Sequence, residues 1–313
     1  MPTFDGGHYF FTGLFPVRLA PECTPAGVWT APSHILREAL ATLPNSSEYG
    51  DPQIRMSPFA RARRTHFARF ALIDDPAFNG RDGGDAIKQA ITNVNLLAHQ
   101  PVDHLAQPWL LFAADFDAAD GGDGCRDAWA RELWETMEAE LRAVFASCCG
   151  FDAVRDADGF AAYLAQGQIE TTLPFNDYWI DPPPIPQLSI ARIVAQGLAV
   201  LALFLVAAWL IDRETGAGWP VWAGAILLGA AAALYAVYRL IMRRGAVPWP
   251  AAPDSDLRSV LKSIYLQQNF VRFAIDQQGA SPEALHAAFG RFVDEMKPAD
   301  VDGPTQAPGV VKS

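Results

Sequence analysis

The chain has 313 residues, half of them hydrophobic, and a formal net charge of −11 at neutral pH. That balance argues against nucleic acid as a partner, because no basic stripe is present to neutralise phosphates and release counterions. The first residues, Met1 to His8, have neither a basic n-region nor a continuous apolar h-region, so no signal peptide is expected. Four cysteines, Cys23, Cys125, Cys148 and Cys149, show no metal-ligand spacing. Reduced thiols in a cytoplasmic domain, and no metal site, are the expectation.

In chain order, Tyr9–Leu19 is aromatic and β-branched and reads as a strand, followed by a Pro/Gly-rich loop from Pro21 to Pro32. Ser33 is a candidate N-cap for a helix that carries Ile35, Leu36, Ala39, Leu40 and Leu43 at helical spacing and stops at Pro44. Thr65–Asp74 is the clearest strand. A Gly/Asp segment at Asn79–Asp85 and a short helix near Ala86–Leu97 come next. Trp109–Asp117 is nearly all apolar, as in a strand covered on both faces. Beyond the Asp/Gly-rich turn Ala118–Gly124, Arg126–Ala146 forms a long amphipathic helix with Ala130, Leu133, Trp134, Met137, Leu141, Val144 and Phe145 on one side. A second helix at Gly159–Gln166 and a weaker strand at Gln168–Phe175 complete a strand, helix, strand, strand, helix, strand order. That is the split βαβ, ferredoxin-like arrangement of an α+β domain covering residues 1–180.

Residues 181–192 are a Pro-rich linker, stiffened by Asp181-Pro182-Pro183-Pro184-Ile185-Pro186. Residues 193–242 hold two apolar runs, Ile193–Ile211 and Val221–Tyr238, joined by a polar turn from Asp212 to Gly218. About 20 apolar residues suffice to cross a bilayer as a helix, so a transmembrane hairpin is predicted. Arg192, Arg239, Arg243 and Arg244 flank its outer ends while the turn carries only Arg213, which predicts both termini in the cytoplasm of an inner membrane. Trp209, Trp219 and Trp222 near the turn, and Tyr235, Tyr238 and Trp249 near the other end, fit two interfacial belts. Ala225, Gly229 and Ala233 form a small-residue ridge suited to close packing of the hairpin on itself, or to a dimer contact.

Residues 243–296 read as helix, strand, helix packing on the first domain. The helix is Asp256–Tyr265; the strand, Gln268–Asp276, echoes His66–Asp74; the last helix runs from Ser281 to Met296. Residues 297–313 are Pro/Gly/polar and read as a disordered tail.

Ser57-Pro58-Phe59, Thr65-His66-Phe67-Ala68-Arg69-Phe70 and Leu110 to Asp117 resemble segments of a group of largely uncharacterised bacterial proteins related to the dimeric α/β-barrel superfamily. Cys148-Cys149-Gly150-Phe151 and Gln268-Asn269-Phe270 are similar to segments of the same group. The resemblance implies ferredoxin-like units paired as in dye-decolorising peroxidases and small monooxygenases. It covers most of the soluble part and none of the hairpin. The peroxidases' GxxDG signature is absent, since Gly80-Arg81-Asp82-Gly83 is one residue short.

The candidate site residues are His66, Arg69 and Asp115, with His66 the candidate haem ligand. On a regular strand His66 lies with Ala68, Phe70 and Leu72, and Arg69 with Phe67, Ala71 and Ile73, so only one of the two can face a given pocket. His66 otherwise reads as a core or sheet-edge histidine, and Arg69 as one half of a buried ion pair. Asp115 and Asp117 share a face, as paired carboxylates, as partners of Arg69, or as turn caps at a strand end. An EF-hand frame over Asp115–Arg126 fails at Ala119 and Arg126. His99 and His104 read as surface loop residues and Cys148-Cys149 as buried structure. With no complete catalytic set, a membrane-anchored binding or scaffolding module is the leading reading. The alternatives are a haem- or apolar-substrate-binding oxidoreductase and a protein that handles lipids. Expected partners are the lipid bilayer and a second copy of the chain, unless the Gln268–Asp276 strand fills the sheet edge instead.

Overall fold

Tyr9, Phe11 and Phe15 lie along one side of β1 (His8–Pro16), and all are buried in the computed structural model. Aromatics at period two suit a pleated face that packs against another layer. The structure describes residues 6–24, 26–44, 47–48, 56–75, 104–169, 178–184 and 187–311. Among them β1 is followed by β2 (Glu22–Cys23), β3 (Trp29–Thr30), α1 (Pro32–Thr42), β4 (Ser47–Glu48), β5 (Thr65–Ile73) and β6 (Trp109–Asp117). Then come α2 (Asp123–Phe145), α3 (Ala157–Gly167), β7 (Gln168–Ile169), α4 (Ile190–Thr215), α5 (Trp219–Gly245), α6 (Leu257–Asp276), α7 (Pro282–Met296) and β8 (Val310–Val311). The architecture is mixed α+β. The helix expected at Ala86–Leu97, the segment Asn79–Asp85, His99, the Gly80–Gly83 motif and the strand expected beyond Ile169 lie outside the described residues.

The chain forms two compact units, Gly7–Thr171 with Asp254–Ser313, and Pro2–Gly6 with Thr172–Pro253. In the first, an antiparallel sheet runs in the order β5-β6-β1-β7. One face carries α2 and α3. Trp129 of α2 stacks on Phe116 of β6 with ring centroids 4.2 Å apart, and Phe15 of β1 meets Phe145 and Tyr163 at 5.1 Å each. Leu133, Leu141, Phe160 and Leu164 fill the layer between. Helix α2 starts at Asp123, an acidic residue suited to the positive end of the helix dipole, and it bends where Met137 leaves helical geometry. Helix α3 is capped by Asp156, whose carboxylate accepts from the Gly159 amide at 2.8 Å.

The second unit is the helical hairpin of α4 and α5. Both helices are longer than the apolar runs themselves, at 26 and 27 residues, because flanking residues extend each by about two turns in total. The hairpin closes through Asp212, which accepts from the Gly218 amide at 2.7 Å and from the Trp222 indole at 3.1 Å. Gly216 ends α4 at φ 60°, the left-handed region where a side chain would be strained. Ala225 and Gly229 of the expected ridge are buried, and a Cβ on Gly229 would sit 2.9 Å from Leu201 and 3.0 Å from Phe204. The ridge therefore packs the hairpin on itself.

After the hairpin the structure departs from two expectations. Gln268–Asp276 is the last part of α6, not a strand. Phe270 and Phe273, three positions apart, share a helix face and meet Phe292 of α7 at 6.0 and 5.0 Å, a spacing that a strand would split between two faces. This segment therefore does not fill the sheet edge. Nor is the tail from residue 297 without structure. Lys262, 2% exposed, donates to the carbonyls of Met296 at 2.7 Å and Pro304 at 2.8 Å, and β8 pairs in parallel with β4.

Candidate functional site

The register of β1 on β6 places His8 opposite Asp117 and Phe10 opposite Asp115. Tyr9 and Phe116 stack at 5.2 Å on the helix-covered face, so His8, Asp115 and Asp117 belong to the other face. A β-bulge brings His66 to them. Thr65 pairs with Phe116 and Phe67 with Asp115, which leaves His66 as the extra residue. Thr65 faces the core, where its hydroxyl accepts from the Trp129 indole at 2.9 Å. Ala68 and Phe70 pack there too. His66 is thereby turned onto the face of Phe67 and Arg69. This corrects the expectation that His66 shares a face with Ala68, Phe70 and Leu72: the inserted residue resets the alternation.

The cluster is tight. His66 Nε2 lies 2.7 Å from Asp117 Oδ1, and the His8 and His66 rings are 5.0 Å apart. His8 Nε2 is 3.0 Å from Ser255 Oγ, and its Nδ1 is 3.6 Å from Asp115 Oδ2. The Leu257 amide, at the start of α6, donates to Asp117 Oδ2 at 3.0 Å. His8 is 2% exposed, Asp115 1% and the His66 side chain 0%. Burial pushes the Asp115 carboxyl above the ordinary carboxylate range, with His8 and His66 pulling it down and Asp117 pushing it up. Neither Asp115 oxygen has a hydrogen-bond partner among the described residues.

Chemically, two imidazoles and two carboxylates can share protons, pair as ions or hold a cation. Ser255, His8 and Asp115 stand in nucleophile, base and orienting order. However, the Asp115–His8 separation of 3.6 Å is past hydrogen-bond reach, and Ser255 at 6% exposure has no surface for a substrate to approach. Haem does not fit His66 as placed. Axial ligation needs a ring nitrogen open to a large planar group, whereas Nε2 faces Asp117 and the side chain is wholly covered.

Arg69 is exposed and takes no part in any ion pair found among the described residues, so the buried pair expected for it does not form; on its side of β5 the guanidinium reaches solvent. His104 pairs with Asp75 at the surface, 3.0 Å apart. His8 and Ser255 were not expected in the site, and no metal-ligand set was expected at all. His8, Ser255 and the β5 bulge enter only through strand register and the return of the chain after the hairpin, neither of which residue spacing reports.

All four cysteines are free. Cys148 is fully buried, and burial, with a smaller push from Cys149, raises its thiol to about 12. At mildly alkaline pH its thiolate fraction then falls on the order of a thousandfold below that of an ordinary thiol. Alkylation of the folded protein is expected to modify exposed Cys23 first and leave Cys148 intact, as read by peptide mass mapping. Equal labelling rates would contradict this burial.

Comparisons with protein-family models, curated proteins and solved structures returned no match for this chain.

Proposed function

We propose that the protein is a membrane-anchored binding module, held in the inner membrane by α4 and α5 with both termini cytoplasmic. The observation that carries this reading is the surface of the hairpin. Eighteen-residue windows of α4 and α5 have mean hydropathy of 2.4 and 1.9, yet only 6% and 11% of each window is buried. A core helix of a soluble protein would bury such a stripe; here Leu198, Leu203, Val206, Leu227, Leu228 and Leu234 all face outward. A bilayer is the solvent that suits them.

Binding is favoured over catalysis because the cluster of histidines and carboxylates among the described residues is closed to substrate. Meanwhile α6 and α7 leave Phe270, Val271, Ile275 and Phe289 half-exposed. The strand order, with β6 antiparallel between β1 and β5 and β7 on the far side of β1, supports the ferredoxin-like reading. The edge position of β5 keeps a homodimer through sheet pairing within this proposal.

The test is membrane extraction and site-directed labelling. After alkaline carbonate washing the protein should stay in the membrane pellet. A cysteine placed at Thr215, with the native cysteines replaced by serine, should react with an impermeant maleimide in intact cells, while one at Ser46 should react only after lysis. Release into the soluble fraction would end the membrane reading, and the reverse labelling would invert the orientation.

A further inference from the structure

We infer that His8, His66, Asp115 and Asp117 form a binding site for a divalent first-row transition metal ion, buried on the face of the sheet away from α2 and α3. The ligand atoms of His8, His66 and Asp117 all lie within 4.8 Å of one another. Four donors at about 2.0–2.2 Å around a tetrahedral ion stand about 3.4 Å apart, so small side-chain rotations close this set on a metal. Imidazole with carboxylate suits zinc, iron or cobalt; calcium and magnesium prefer all-oxygen shells.

A second observation points the same way. Asp115 is 1% exposed, its Oδ2 is 3.6 Å from His8 Nδ1, and neither of its oxygens is satisfied by hydrogen bonding among the described residues. A buried carboxylate without hydrogen bonds is strongly unfavourable unless a cation compensates it. With both imidazoles neutral, Asp115 and Asp117 bring two negative charges, which one divalent cation balances. Ser255 and the Leu257 amide, already on His8 and Asp117, would then orient the ligands from outside, as hydrogen-bonded outer partners do in metal centres. The competing account is that protons on the two histidines supply the charge.

The full chain, purified in detergent and stripped with chelator, is titrated with Co²⁺ and followed by its visible d–d bands, with Zn²⁺ binding measured by calorimetry. Stoichiometric binding to one site per chain is expected. His66→Gln and His8→Gln should each abolish it, and Asp115→Asn should weaken it by at least about 10–100-fold. His34→Ala, at an exposed His34–Glu38 pair on α1, should change nothing. Near-ultraviolet circular dichroism checks that each variant is folded. Absence of stoichiometric binding by the folded wild type, or binding that survives both histidine variants, would overturn the site and leave the charge balanced by protons. These outcomes do not depend on whether the hairpin spans a membrane.

Discussion

Phe112→Ala is expected to lower the unfolding free energy of the α+β unit by about 3–5 kcal/mol, as seen when a large core aromatic is truncated. Phe112 is fully buried at the middle of β6, stacked on Phe70 at 4.5 Å and in contact with Phe11 at 5.5 Å and Trp129 at 5.9 Å. Its ring thus joins three strands to α2, and no neighbour can collapse into the hole without breaking another stacked pair. Total stability of a domain is only about 5–15 kcal/mol, so the variant should sit near the edge of folding. Phe67→Ala is the control. Phe67 is 54% exposed on the opposite face of β5, and its loss should move stability by only about 0.5 kcal/mol. Denaturant unfolding in detergent, followed by tryptophan emission, measures both; equal losses would mean that the aromatic layer does not carry the unit.

That layer is where the sequence was most informative. Tyr9, Phe11 and Phe15, and the Ala130, Leu133, Met137, Leu141 series, report their faces through periods that survive any detail of tertiary packing. The apolar runs of α4 and α5 were legible for the same reason, since their length and lack of charge need no partner to interpret. Gln268–Asp276 misled because Val271, Phe273 and Ile275 fit alternation over a short window as readily as Phe270 and Phe273 fit a helical stripe. Only the facing Phe289 and Phe292 of α7 decide between them.

The candidate site was half legible. His66 and Asp115 stand out as polar residues on apolar strands, but their grouping depends on a single inserted residue between Thr65 and Phe67. A bulge leaves no fixed residue type behind, so alternation assigned His66 to the wrong face. His8 falls just before the strand read from the sequence at Tyr9–Leu19. Its value comes from facing Asp117 across the β1–β6 ladder, a pairing set by the whole register rather than by neighbours in the chain. Arg69 drew notice because a charge on an apolar strand needs a partner, yet Arg69 itself is exposed and water suffices.

Lys262→Met is expected to release residues 297–311 while α6 and α7 keep their structure. The lysine ammonium makes two hydrogen bonds to backbone carbonyls, Met296 at 2.7 Å and Pro304 at 2.8 Å. Each bond from a charged donor contributes about 1.5–3 kcal/mol. Removing the buried charge also removes its desolvation cost, and the methionine stem keeps the packing of the first side-chain carbons, so a net loss of about 2–4 kcal/mol remains. That loss falls on a short segment with few other ties among the described residues: the exposed Arg258–Asp302 ion pair to α6 and the two-residue β4–β8 pairing. A local deficit of this size exceeds what those contacts can hold, so the segment should open without global unfolding. Hydrogen exchange of the 297–311 peptides should rise by on the order of thirtyfold or more, at about 1.4 kcal/mol per decade, with the α2 peptides unchanged. Protection in the tail that matches the wild type would show that Lys262 does not hold it.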